Sequence, residues 1–343
     1  MPHLSSPAPA WARAPAIEPA PTPYADLNAI LAELTDGVRR TLGEVFVGAY
    51  LQGSLALGDA DEASDVDFLV VTARDVTPDE LAALQVLHGA IHALPSPWAT
   101  KLDGSYAPAP ILKRLKGQPR DPPGEPRGDD WADPGLSGLP PRVYPLLYLT
   151  NGSKTLVRSE HDNTEVVRWV TREAGITLAG PSPKALIDPV PADTLRAESL
   201  TLLETVLRLW LDEGQPMDQH WLQVFLAGFA ARVLHTLRTG RITSKKAAAD
   251  WAAGHLDARW RPLLEATQAS RALSLESRLG PADPAAVEET LAFLRYIRGR
   301  AILERKMLDK RHGGGGGPHA FRGDGPGRPA LRPGGGPAKV RPG

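Results

Sequence analysis

Apolar positions in residues 24–42 recur at helical spacing, through Leu27, Ile30, Leu31 and Leu34, and predict a first helix. The pattern then turns strand-like. Residues 45–51 and 66–72 each carry a short apolar run that predicts a buried strand. Residues 78–94 return to helical character, with Pro78 in the first turn and Asp79 and Glu80 where the helix dipole favours acid. Residues 98–106 predict a third, weaker strand. Helix, strand, turn, strand, helix and strand in that order describe a small α/β domain.

After residue 191 almost everything reads as helix. Asp193 is placed to cap a helix that ends at Gly214, and a second helix runs to a stop at Gly240. Residues 243–256 and 284–307 supply two more. The fold class is α/β of the α+β kind, with a sheet domain over residues 24–160 and an α-helical domain over residues 161–310. Repeated Pro and Ala in residues 1–23, and Gly, Pro and Arg in residues 311–343, leave little to bury, so both ends are expected to lack regular structure. The Pro- and Gly-rich residues 117–142 form a long loop of the kind that is either functional or unstructured.

Composition narrows the class. The chain has 343 residues, room for about two domains. A formal net charge of -1 argues against nucleic-acid binding through bulk charge. Without cysteine there is neither a disulfide framework nor a thiolate metal site. No apolar run reaches the ~18 residues of a membrane span, and residues 1–23 lack the uninterrupted apolar core of a secretory signal. The expectation is a cytoplasmic monomer with neither a membrane nor a nucleic acid as partner.

The chemistry concentrates in residues 49–71, AYLQGSLALGDADEASDVDFLVV. Residues two apart on a strand share a face, so Asp65 and Asp67 project together. Two ionised carboxylates so placed repel unless a cation lies between them, and an all-oxygen site of this kind suits Mg²⁺. Gly53 and Ser54 open a short segment whose backbone N–H groups and hydroxyl suit a terminal phosphate, with Gly allowing close approach. Taken alone, each of these is also an ordinary turn feature.

Taken together, G-S, roughly ten residues, then D-x-D entering an apolar strand resembles the nucleotidyltransferase superfamily related to DNA polymerase β. That resemblance implies a polymerase β-like domain with a small mixed sheet, two Mg²⁺ ions and a third carboxylate on a neighbouring strand. Asp103, in WATKLDGSYAP, stands in the right order to be that carboxylate. It would share a metal and take the proton from an attacking hydroxyl; its alternative is a turn before Gly104. Further on, AGPSPKALIDPVP, LLETVLRLW and RVLHTLRTGRITSKKAAADWA are similar to the bacterial aminoglycoside adenylyltransferases that modify streptomycin and spectinomycin. This second resemblance covers roughly residues 24–302. It implies AMP transfer from ATP to a drug hydroxyl with release of pyrophosphate, and so antibiotic resistance. Gly53, Ser54, Arg232 and Lys245 would hold the nucleotide, and Trp210 and Asp218 the acceptor. A further acidic position of these relatives falls on Leu222, and their third carboxylate is usually Glu where this chain has Asp103.

Other polar residues read as structure. Lys246 and Arg241 are expected on the surface. Asp162 or Asn163 is placed to cap a helix in EHDNTEVVRWV, with a role at the domain cleft as the sharper alternative. His161 has no second histidine at ligand spacing. His88 and His92, four apart on one predicted helix, read as a surface pair. Competing functions are the same transfer to another small molecule or to a protein hydroxyl, and a nucleotide-binding regulator without turnover. A nucleic-acid polymerase fits poorly, because the helical half has no obvious basic groove.

Overall fold

The computed structural model describes residues 20–113, 145–270, 273 and 275–312. The expectations for residues 1–19, 117–142 and 313–343 lie outside the described residues. Helix α1 (Ala25–Leu42) buries the stripe its sequence predicts, with Leu27, Ile30, Leu31 and Leu34 inside. Strand β1 (Phe46–Leu51) runs into a single helical turn, α2 (Gly53–Ala56), and β2 (Val66–Thr72) returns antiparallel to β1. Helix α3 (Pro78–His92) then crosses over to β3 (Leu102–Pro108), which lies parallel to β2, as a helical crossover requires. A short α4 (Ala109–Leu112) follows.

Strands β4 (Leu146–Leu149) and β5 (Leu156–Ser159) form a hairpin, with β4 antiparallel to β3. Helix α5 (Glu165–Ala174) leads to β6 (Ile176–Ala179), which pairs with β1 and gives a six-stranded sheet in the order β5-β4-β3-β2-β1-β6. The sheet layer therefore continues past residue 160, where the sequence pattern puts its end. Helices α1 and α3 pack on one face around Leu84, Ile91, Phe68, Val70 and Tyr106. Tyr50, Leu69, Val71, Ala107 and Ile187 form the smaller core on the other.

The helical half comprises α6 (Pro183–Leu186), α7 (Ala192–Leu207), α8 (His220–Thr239), α9 (Lys245–His255), α10 (Arg261–Ala269), α11 (Leu275–Leu279) and α12 (Pro284–His312). Its core gathers Leu203, Ala230, Leu234, Trp260, Leu264, Phe293 and Ile297. Residues up to Glu304 belong to one compact unit, which holds both the sheet and this bundle. Each half supplies a carboxylate to a helix start of the other. Glu198 on α7 accepts the Glu165 and Val166 N–H groups at 3.1 and 3.0 Å, and Asp59 accepts the Lys246 N–H at 3.0 Å. Both contacts satisfy orphan donors at a positive helix end. Among the described residues no helix is long and apolar enough to cross a membrane.

Several local expectations change. The third strand starts at Leu102 rather than residue 98, because Trp98 is buried in a turn, 5.1 Å from the Tyr24 ring and with the Lys101 ammonium 4.6 Å above it. Pro191, not Asp193, is the N-cap of α7; Asp193 pairs with Arg196 at 2.8 Å. Thr164 caps α5 by accepting the Val167 N–H, which leaves Asp162 and Asn163 buried before it. His88 is no surface residue. It is 2 % exposed, its Nε2 lies 2.8 Å from the Tyr106 hydroxyl, and burial pulls its pKa down to about 4, so it is neutral in the core. His92 is half-buried, its Nε2 3.3 Å from the Gly152 carbonyl. Thr22, within the segment expected to lack structure, is buried and donates to Asn28 at 2.7 Å. Gly240 does end α8, in the left-handed conformation at φ 70.

Helix α3 starts with a complete capping box between Thr77 and Glu80, and Arg74 pairs with the same Glu80 at 2.9 Å. Removing the box with Thr77→Ala should lower the unfolding free energy by about 1 kcal/mol in urea titrations. Glu80 is held at about 2 instead of 4.5, by Arg74 first and then by the Thr77 N–H. A carboxylate held low contributes stability that is complete above 4.5 and lost as the pH falls toward 2. The wild type should therefore lose this part of its stability across that window, and Glu80→Gln should not.

Candidate active site

The D-x-D spacing becomes a site through the β2–β3 register. Asp67 lies opposite Asp103 on the parallel neighbour, so the two side chains share a face at the ordinary strand spacing of about 4.8 Å. Asp65 sits just before β2 on the same side. Asp103 is thus a strand residue, and the alternative of a turn before Gly104 does not hold. Gly104 is needed for another reason: a Cβ there would meet the Phe68 carbonyl at 2.1 Å.

The electrostatics follow from this crowding. Asp67 is half-buried, and its pKa is pushed up to about 7 by desolvation first, then by the charges of Asp103, Asp65 and Asp162. Desolvation and Asp103 also raise Asp65, against the lowering effect of Lys245, Lys101 and Arg278. Burial pulls the Arg232 guanidinium down while Asp67 works against that pull. The cations expected from the helical half, Arg232 on α8 and Lys245 at the start of α9, therefore both act on the aspartates of the sheet. Ser244 caps α9 and sets the position of Lys245, accepting the Ala247 N–H at 3.1 Å.

Gly53 and Ser54 form the first turn of α2, which has no side-chain cap. Gly53 has φ +57, and a Cβ on it would meet Asp67 Oδ2 at 2.0 Å. Only glycine lets this turn approach the carboxylate. The Gln52 N–H donates to the Asp67 carbonyl at 2.9 Å and pins the same approach from the backbone.

Trp210 and Asp218 stand elsewhere on the bundle. Trp210 lies in the π-helical turn Arg208–Asp212 that continues α7, packs against the bundle cores, and its Nε1 donates to the Pro216 carbonyl at 3.4 Å. Asp218 is exposed, and its carbonyl accepts the Ala282 N–H. Among the described residues neither is hydrogen-bonded to the three aspartates. Leu222 is partly buried against the smaller bundle core. Lys246 is exposed and paired with Asp250 at 2.6 Å, and Arg241 is exposed, both as expected.

The sequence pattern does not single out Asn151. At the tip of the β4–β5 hairpin its amide donates to Asp65 Oδ1 and its backbone N–H to Asp103 Oδ2 at 3.1 Å. Asp162 also joins the site: it is buried, accepts from Ser105 Oγ at 2.7 Å, and is raised by burial above all, with Asp103 adding to the effect. Its place in EHDNT was the one signal for it, as the cleft alternative. Tyr148, stacked 4.8 Å from the His161 ring, is pushed well above the ordinary phenol range by burial and by Asp103.

Among the described residues no group of three or more His, Asp or Glu side chains converges enough to hold a metal ion. Asn151 ties Asp65 and Asp103 toward the hairpin tip. The donors nonetheless fit a divalent cation, being all oxygen and short of positive charge, as the raised pKa values of Asp65 and Asp67 record.

Residues 33–96 match the family described as nucleotidyltransferase domain, and residues 186–294 match aminoglycoside adenylyltransferase, C-terminal domain. An aminoglycoside (3'') (9) adenylyltransferase of Shigella flexneri is 24% identical over 279 residues, which span 80% of this chain and 95% of that protein. Over most of its length the chain is similar to the aminoglycoside adenylyltransferases. A second relative of the same name, from Klebsiella pneumoniae, is 33% identical over 129 residues, 37% of this chain and 44% of its own. The fold agrees with spectinomycin adenyltransferase AAD(9) from Enterococcus faecialis, solved with ATP and spectinomycin, at a TM-score of 0.53. That comparison covers 79% of this chain and 98% of the other at 13% identity. The chain thus combines a nucleotidyltransferase sheet layer with a helical region that matches the C-terminal domain of aminoglycoside adenylyltransferases.

The tight fit at Gly53 gives a direct test of the site. In Gly53→Ala the methyl group must displace Asp67 or unwind the turn, and a displacement of about 1 Å at a reacting centre costs roughly a hundredfold in rate. Turnover of this variant should fall by about that factor, while circular dichroism and melting show a folded chain.

Proposed function

We propose that this adenylyltransferase moves AMP from ATP to a hydroxyl of a streptomycin- or spectinomycin-type aminoglycoside. The observation that carries the reading is the pairing of Asp67 with Asp103 beside Asp65, faced by two cations from the bundle. In the proposed reaction the acceptor oxygen attacks the α-phosphorus of ATP. A new O–P bond forms, the bond to pyrophosphate breaks, and pyrophosphate leaves with its electron pair.

Each side chain has a task in this scheme. Asp103 takes the hydroxyl proton as general base. Asp65, Asp67 and Asp103 would hold two Mg²⁺ ions, which when bound neutralise phosphate charge and polarise the phosphoryl oxygens. Gly53 and Ser54 offer backbone N–H groups and a hydroxyl to the terminal phosphate. Lys245 and Arg232 stabilise the charge that develops on pyrophosphate. Trp210 and Asp218 are the proposed acceptor contacts, one a flat apolar surface and the other a carboxylate for an amine. The sheet layer and the bundle then act as two domains with the acceptor bound between them. A reaction that consumes ATP belongs in the cytoplasm, and we assign it there, to a monomer.

A second reading keeps the transfer and changes the acceptor. It is favoured by Trp210, which packs into the bundle, and by Leu222, an apolar residue where relatives carry an acid. The deciding assay supplies ATP and Mg²⁺ with streptomycin, spectinomycin and other hydroxylated acceptors in parallel. Pyrophosphate release and an added AMP by mass spectrometry on either named drug support the first reading. AMP on none of them, with ATP still bound, moves the search to the second. In either case Asp67→Asn should reduce transfer by roughly a thousandfold or more, since it removes several kcal/mol of charge stabilisation. Its melting temperature should not fall, because the change also removes a repelled charge. Full activity in that variant would contradict the assignment of Asp67.

A further inference from the structure

The proposed clamp uses a cation from α8 and another from α9. A further cation is left over by that scheme. Arg278 lies on α11, which packs against α8, and is half-buried there. Its Nε is buried with no hydrogen-bond partner among the described residues. An Nε–H that loses water without gaining an acceptor is costly to keep on a charged group. The charge it acts on is Asp65.

Lys101, which also acts on Asp65, makes an instructive contrast. Its ammonium already donates to the Glu62 carbonyl and lies over the Trp98 ring. Lys101 is occupied, whereas Arg278 retains unused donor capacity. The missing partner must be an acceptor, and an amine-bearing acceptor molecule would be repelled. A phosphate group suits a guanidinium best, since two of its oxygens match the planar fork.

We propose that Arg278 is a substrate-binding residue, and that its guanidinium holds the phosphate chain of the nucleotide beside Arg232 and Lys245. The phosphates are thereby gripped from α8, α9 and α11, and the short α11 gains a function its five residues do not otherwise suggest. This rests on the nucleotide reading of the site but not on the identity of the acceptor.

The test uses full-length wild type, Arg278→Met, which keeps much of the stem, and Arg278→Lys, which keeps the charge without the fork. Calorimetric titration with ATP–Mg²⁺, with inorganic pyrophosphate and with AMP separates chain binding from binding of the nucleoside part. Arg278→Met should bind ATP and pyrophosphate about ten- to a hundredfold more weakly, the range for hydrogen bonds to a charged group, with Arg278→Lys intermediate. AMP affinity should change far less. The ligand-free melting temperature should stay level or rise, since an unsatisfied buried donor is removed.

Unchanged ATP and pyrophosphate affinity in Arg278→Met would overturn the proposal. So would a lowered ligand-free melting temperature with equal losses for all three ligands, the mark of a structural counter-ion. If Arg278→Met does not fold, Arg278→Lys decides by the same comparison. Wild-type protein that bound none of the three would overturn the nucleotide reading, and this inference with it.

Discussion

Too much negative charge at one end of a sheet organises this molecule. Parallel pairing of β2 with β3 sets Asp67 opposite Asp103, Asp65 precedes them, and Asp162 is buried nearby. Burial first, and then these like charges, push the pKa of Asp67 up to about 7. Much of the surrounding structure meets that deficit. Asn151 donates to two of the carboxylates, Ser105 to another, and cations reach in from the helical half. In the proposed function divalent cations would bring the missing positive charge and a phosphate chain would take up the spare donors, so an arrangement unfavourable for the empty fold would suit a nucleotide.

The two halves are joined in keeping with this. Glu198 from the bundle satisfies the start of α5, and Asp59 from the sheet layer satisfies the start of α9, one residue from Lys245. Each contact fixes a helix end whose neighbours carry the candidate chemistry. Ser244 and Asp59 together hold the backbone at the start of α9, where Lys245 stands. The bundle thus contributes to the site through helix starts and one long helix, α8, which presents Arg232 toward Asp67.

Elements whose signal is local were legible in the sequence. The strand at 66–72, the stripe of α1 and the glycine stop of α8 follow from period, apolar run and turn chemistry, and the structure has all three. The G-S and D-x-D pairing was legible because two residues on one strand share a face. The third strand began later than expected because Trp98 looks like strand in composition yet packs in a turn against Tyr24. His88 read as a surface residue because nothing in the pattern reveals its partner, Tyr106, on the neighbouring strand. Asn151 and Arg278 were missed for the same reason. One is at a hairpin tip and donates to Asp65, the other is on a five-residue helix and acts on the charge of Asp65, and both relations arise only after distant segments have folded together.

The claim on which the rest depends is that the crowded carboxylates form a divalent-cation site completed by nucleotide. Titration of the wild-type chain with Mn²⁺, followed by its electron spin resonance signal with and without a non-hydrolysable ATP analogue, measures this directly. The account predicts binding that strengthens when the analogue is present and is lost in Asp67→Asn. Mn²⁺ binding that ignored both the analogue and the loss of Asp67 would contradict it.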